Sequence, residues 1–215
     1  MFQLIVFDLD GTLIDSRRDL ANATNALLME CGAAPLPESR IGRLVGDGAA
    51  TLVARAFDAS AIPQPPDALD RFLRIYGDHL LDHTRPYPGI PEALEALGRR
   101  SRLAVLTNKP LASTRRILDA LALAPHFPDD AVIGGDGPFP RKPDPAGLQH
   151  LAEHAGVPLS ETVLVGDSAI DWRTAHAARA AVCLVRYGFG FDSLPLDQLG
   201  MEDRIVDTPL DLIGL

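Results

Sequence analysis

Apolar residues follow one rhythm up to about residue 83 and another beyond it. The chain begins with the apolar run Leu4-Ile5-Val6-Phe7. It is too short for a helix and stops at polar residues, so it reads as a buried strand. From Leu20 the spacing is helical: Leu20, Thr24, Leu27 and Leu28 share one face, and Gly32 ends the run. Ser16-Arg17-Arg18-Asp19 just before it has the spacing of a capping box. Ile41 to Val45 and Ala49 to Phe57 read as two short helices around Gly46-Asp47-Gly48. After Pro63, Pro65 and Pro66, Leu69, Phe72, Leu73, Tyr76 and Leu80 form another apolar stripe. Residues 15 to 83 thus read as wholly helical, without a strand.

Thr84-Arg85-Pro86-Tyr87-Pro88-Gly89 is a linker of turn formers, and after it helix and strand alternate. The pattern predicts helix 91–100, strand 103–107, helix 111–122, strand 131–134 and helix 144–155. Strand 162–166, helix 170–180, strand 182–186 and a short strand at Ile205-Val206 follow. Such alternation implies an α/β, Rossmann-like parallel sheet with helices on both faces. The first strand belongs to that sheet. The expected organisation is therefore a core of residues 1–14 and 84–215 with a helical insertion at 15–83.

The chemistry-bearing residues sit where such a sheet puts its sites, beyond the carboxyl ends of strands. The first strand runs into Asp8-Leu9-Asp10-Gly11-Thr12. Period-two alternation turns the Asp8 and Asp10 side chains to the same side. Two such acids at a buried strand end are costly to keep ionised without a cation. The strand Leu103-Ala104-Val105-Leu106 ends in Thr107-Asn108. Lys142 stands just ahead of a helical pattern, and Thr162-Val163-Leu164-Val165 ends in Gly166-Asp167-Ser168-Ala169-Ile170-Asp171.

In this order, the four segments resemble the haloacid dehalogenase superfamily, specifically its phosphatases with an aspartate nucleophile. The resemblance spans nearly the whole chain. It implies that Asp8 attacks phosphorus, Asp10 is general acid and base, and Thr107, Asn108 and Lys142 hold the phosphoryl group. It further implies a Mg²⁺ bound by Asp8, Asp167 and the backbone carbonyl of Asp10, supported by Asp171, and an α-helical cap domain formed by residues 15–83. The charge count agrees with a divalent ion. Asp8, Asp10, Asp167 and Asp171 sum to −4 if ionised, and a phosphomonoester adds about −2. Lys142 returns a single positive charge, and oxygen-only ligands point to Mg²⁺ rather than zinc.

Leu44-Val45-Gly46-Asp47-Gly48-Ala49, Tyr87-Pro88-Gly89, Thr107-Asn108-Lys109-Pro110 and Arg186-Tyr187-Gly188-Phe189-Gly190 are similar to stretches of the phosphoglycolate phosphatases. The resemblance implies hydrolysis of 2-phosphoglycolate to glycolate and phosphate. Related sugar-phosphate phosphatases and β-phosphoglucomutase-like phosphomutases are the alternatives. Such a substrate carries a carboxylate that needs a donor on or beside the cap. Candidates are the helix start at Gly46, Asp47 and Gly48, and a basic residue such as Arg43, Arg55 or Lys109. A dehalogenase does not need Asp10, and a non-catalytic relative would be expected to lack one of the acids or Lys142.

Composition adds limits. Of 215 residues, 47% are hydrophobic and 23% charged, an ordinary globular balance. A net charge of −9 argues against nucleic acid or an anionic membrane as partner. The expected partner is a small phosphorylated metabolite, to a monomer or homodimer. No apolar run approaches the ~18 residues of a membrane span. The amino terminus lacks the basic region of a secretory signal. Cys31 and Cys183 fall in different predicted domains, so no disulfide and a cytoplasmic location are expected. The spacings His79/His83 and His150/His154 read as solvated helical faces, and Trp172 as a packing residue.

Overall fold

The structure is a computed structural model that describes all 215 residues. Strand β1 (Leu4–Phe7) is followed by a two-residue strand β2 (Ile14–Asp15) and four helices: α1 (Arg17–Glu30), α2 (Glu38–Gly42), α3 (Ala49–Ala59) and α4 (Ala68–Asp78). The chain returns through β3 (Arg85–Pro86) and alternates as α5 (Ile90–Gly98), β4 (Arg102–Leu106), α6 (Leu111–Ala120), β5 (Val132–Ile133) and α7 (Ala146–Ala155). Strand β6 (Thr162–Gly166), α8 (Ala169–Ala178), β7 (Ala181–Val185) and β8 (Arg204–Val206) complete it.

Six strands form one parallel sheet in the order β5-β4-β1-β6-β7-β8. Its two faces follow from strand alternation. Ile5 and Phe7 enter one apolar cluster with Leu94 of α5 and Ile117 of α6. Leu4 and Val6 enter the other with Leu148 of α7 and Ala175 of α8. Continuous apolar strands are what a sheet covered on both faces requires. No helix is long and apolar enough to cross a membrane, and both cysteines are free.

Phe7 lies beside Val105 of β4 and Val165 of β6. The segments that follow these strands therefore emerge together at the carboxyl edge. The chain builds one half of the sheet from β1 through β4 to β5, then crosses to β6 on the other side of β1. That reversal is the crevice in which doubly wound sheets bind ligands.

Where the helical segment leaves and rejoins the sheet, the structure departs from the sequence reading. Asp15 is not helical: β2 pairs antiparallel with β3, Ile14 opposite Pro86 and Asp15 opposite Arg85. The expected capping box is also absent, for Ser16 precedes α1 without a side-chain cap bond. Its hydroxyl donates instead to Asp10 Oδ1 at 2.5 Å. The fully buried Asp19 accepts from the backbone N–H groups of His83 (2.9 and 3.0 Å) and Thr84 (2.7 Å) and from the Thr84 hydroxyl at 2.7 Å. The two crossings run side by side, and the Asp19 carboxylate satisfies the amides of His83 and Thr84 just ahead of β3 in place of the helix start. His79 and His83 are likewise not on a helix, because α4 ends at Asp78. Trp172 packs against the second cluster and donates its indole N–H to Asp203.

Burial pushes the Asp19 carboxyl up, but hydrogen bonds from His83 and Thr84 outweigh it and hold the carboxyl below its ordinary value. A depressed acid stabilises the fold in full above its unfolded value of about 3.9, and that stabilisation is lost as pH falls through the lower folded value. Asp19→Ala is expected to cost about 2–4 kcal/mol by leaving buried donors unpaired. Urea unfolding at pH 7 measures the loss, and the gap between wild type and variant should narrow as pH falls below about 4.

Candidate active site

The site begins where β1 ends. The Asp8 backbone N–H still donates to Val165 O at 2.9 Å, so the ladder holds this acid in register with β6. The chain then turns tightly, with Leu13 and Ile14 N–H both bonded to Leu9 O and Gly11 N–H to Ile14 O. Gly11 has φ +87, and a Cβ there would lie 2.0 Å from Asp167 Oδ2. Only glycine permits both the backbone conformation and the approach.

Lys142 Nζ lies 2.8 Å from Asp8 Oδ1 and 2.6 Å from Asp171 Oδ1, and its side chain is 2% exposed. The other Asp171 oxygen accepts from the Ser168 amide (3.1 Å) and hydroxyl (2.7 Å), as the N3 member of a capping box on α8. Asp171 is thereby fixed as an orienter of Lys142. Asp167 Oδ2 accepts from Gly190 N–H at 2.7 Å. Carboxylate oxygens of Asp8, Asp167 and Asp171 lie within 4.8 Å of one another.

Such crowding shifts the acids. Burial, countered by Lys142 and reinforced by Asp171 and Asp10, pushes Asp8 up to about 6. Burial and the charges of Asp171 and Asp8 push Asp167 well above the carboxylate range. Burial would lower Lys142, but Asp171 and Asp8 outweigh it, and the lysine lies above its ordinary value. Three buried carboxylates against one ammonium leave a negative excess that a cation would remove. The donor set is oxygen throughout, as Mg²⁺ requires. These residues fit a Mg²⁺ ion, with Asp8 and Asp167 offering neighbouring carboxylates.

Thr107 and Asn108, both buried, follow β4. The Asn108 amide donates to Gly46 O (2.9 Å) and to Lys142 O (3.0 Å), while its buried Oδ1 has no partner. A cavity of about 60 Å³ lies between these loops and the helical segment. Asp8, Asp10, Thr107, Asn108 and Asp167 line it from the sheet, and Gly46 and Gly48 from the other side.

The remaining residues predicted to set specificity are placed elsewhere. Asp47 and Arg55 pair with each other at 2.6 Å, and Arg55 is partly exposed. Arg43 lines a separate open cleft beside Arg17 and Arg186. Lys109, by contrast, faces the cavity. Its Nζ contacts both Asp10 oxygens, at 2.8 and 2.9 Å, and the Tyr76 hydroxyl of α4 at 2.7 Å. Tyr76 counted in the sequence only as an apolar member of a stripe, and Ser16 only as a helix cap. Nothing in helical spacing signals that their hydroxyls reach a site.

The family model described as haloacid dehalogenase-like hydrolase matches residues 5–185. A phosphoglycolate phosphatase of Rhodospirillum rubrum is 42% identical over 209 residues, covering 93% of this chain and 85% of the relative. One from Caulobacter vibrioides is 36% identical, covering 97% and 88%. Among solved structures, a predicted phosphoglycolate phosphatase from Haemophilus somnus superposes with a TM-score of 0.89 at 33% identity, covering 99% of this chain and 97% of that one.

The Gly11 geometry makes a comparison with Gly32, which has φ +81 but nothing within 4 Å of a Cβ. Gly32→Ala is expected to cost about 1 kcal/mol for the backbone alone. Gly11→Ala should cost more, about 2–4 kcal/mol, because Asp167 must also move. Equal thermal midpoints for the two variants would contradict this account of the turn.

Proposed function

The chain belongs to the haloacid dehalogenase-like hydrolases, and on that footing we propose that it is a Mg²⁺-dependent phosphomonoester hydrolase acting on 2-phosphoglycolate. The observation that carries this reading is the Asp8 carboxylate, held 2.8 Å from Lys142 and lining, together with Asp10, a cavity beneath the helical segment. Relatives at 36–42% identity that are named phosphoglycolate phosphatases support the substrate.

In this reading an Asp8 oxygen attacks phosphorus, the ester bond breaks, and Asp10 passes a proton to the departing alcohol oxygen. Asp8 is left as an aspartyl-phosphate, which splits one difficult hydrolysis into two easier steps. Asp10 then takes a proton from water as the water attacks phosphorus, releasing phosphate and restoring Asp8. Lys142 and the Thr107 hydroxyl hold phosphoryl oxygens, and Asn108 ties their loops together through its bonds to Lys142 O and Gly46 O. Asp171 keeps Lys142 aimed at Asp8. Mg²⁺, held by Asp8, Asp167 and the Asp10 carbonyl, would neutralise charge on the phosphoryl group and the nucleophile. Residues 15–83 form a cap that excludes water from the reacting atoms.

Asp8→Asn is expected to fold normally and to abolish turnover, since a near-isosteric amide is a far weaker nucleophile. Phosphate release by a well-folded Asp8→Asn protein at the wild-type rate would remove the nucleophile assignment.

Activity should vanish with a chelator, return with Mg²⁺ and be inhibited by Ca²⁺, whose looser shell misplaces the attacking carboxylate. Full turnover in excess EDTA would rule out the metal. On substrate, kcat/KM for 2-phosphoglycolate should exceed that for ethyl phosphate by at least about tenfold. Equal values would point to a broader phosphatase.

A further inference from the structure

A phosphate monoester whose alcohol bears a carboxylate brings a second negative charge into a cavity that the cap lines mostly with apolar side chains. The phosphoryl end is provided for by Lys142, which both Asp8 and Asp171 pin in place. The cap contributes mostly apolar side chains to the lining, among them Leu20, Leu52 and Phe72. A carboxylate buried there without a cation or donors is strongly disfavoured. Arg43 and Arg55 do not line the cavity, and neither does Arg141, whose guanidinium lies beside Gly48 of the cap loop. Lys109 is the one cationic side chain that does.

Lys109 is built into the site from two sides. It follows Thr107 and Asn108 on the β4–α6 loop, and its side chain is 4% exposed. Tyr76 reaches it from α4, with its hydroxyl 2.7 Å from Nζ. Burial pushes Tyr76 up to about 12, so its hydroxyl keeps its proton and remains a donor. The pair thus presents an ammonium and a phenol side by side, one from the core and one from the cap. Asp10 keeps a separate partner, the Ser16 hydroxyl at 2.5 Å. Lys109 can therefore exchange one Asp10 oxygen for an incoming carboxylate without leaving Asp10 unheld.

Building on the phosphatase reading above, we propose that Lys109 Nζ and the Tyr76 hydroxyl form the receptor for the substrate's second anionic group. They would thereby set a preference for phosphate monoesters of short hydroxy acids. The receptor spans the boundary between cap and core, so it is complete only when the cap is seated. An anionic leaving group then bridges the two bodies, whereas a neutral one touches the cap through apolar contacts alone.

The assignment is tested on the Mg²⁺-loaded protein with two pairs of probes. The first is turnover of 2-phosphoglycolate against ethyl phosphate. The second is calorimetric affinity for 3-phosphonopropionate against propylphosphonate, which are not hydrolysed. In wild type the carboxylated member of each pair should be favoured by at least about tenfold. In Lys109→Met both preferences should fall to within about threefold, and Lys109→Arg should restore much of them. Tyr76→Phe should reduce them by a smaller factor, because the charge remains. Lys109→Gln keeps a polar donor while removing the charge and shortening the side chain by one atom; it should lose the preference as well, and it serves if the methionine variant fails to fold. A wild type that prefers the carboxylated probes, with folded Lys109 variants that keep the preference, overturns this assignment and leaves the phosphatase reading intact. A wild type without the preference overturns the phosphoglycolate reading and this receptor together.

Discussion

Lys142 between Asp8 and Asp171 is the contact on which the rest of the site depends. Its ammonium reaches both acids within 2.8 Å and is almost wholly buried. Without it, carboxylates of Asp8, Asp167 and Asp171 would face one another across less than 4.8 Å in a medium that screens charge poorly. With it they remain over-charged by about one divalent cation. The fold thus builds in an excess of negative charge that a divalent ion would remove, while fixing the position of Asp8. The same contact explains why Asp171 is tied down twice by Ser168: a mobile orienter would let Lys142 swing away from Asp8.

The sheet makes this concentration of charge possible. Parallel pairing of β1 with β4 and β6 brings three strand ends to one edge, and their register sets which residues become neighbours. Asp8 and Asp167 are far apart in sequence yet follow adjacent strands. The turn at Gly11 then folds back so closely that no side chain fits between it and Asp167. Apolar packing on both faces of the sheet keeps these ends rigid, which a site built from mutually repelling groups requires.

The helical segment is joined to the sheet by two short strands and by the Asp19 carboxylate, and it touches the site directly in three places, the first being the Ser16 hydroxyl on Asp10. Asn108 donates to Gly46 O, and Lys109 to the Tyr76 hydroxyl. Both donors come from one loop after β4, next to Thr107. Movement of the helical segment is therefore coupled through hydrogen bonds to the groups proposed to hold the phosphoryl group and the leaving group.

Local sequence determined much of this protein. The apolar run before Asp8, the alternation after residue 84 and the helical stripes before it specify an interrupted parallel sheet, because burial on one or both faces leaves periodic traces. Acids, threonine and lysine at strand ends and a helix start were legible for the same reason: a parallel sheet has one chemical edge. What tertiary structure decided is which polar partners those residues take. Ser16 and Asp19 have the spacing of a capping box, yet one hydroxyl serves Asp10 and one carboxylate serves the return strand. Asp47 and Arg55 neutralise each other, whereas Lys109 and Tyr76 meet at the cavity. A polar side chain bonds to whatever unpaired group packing brings within about 3 Å. Those encounters join residues tens of positions apart, and no local period records them.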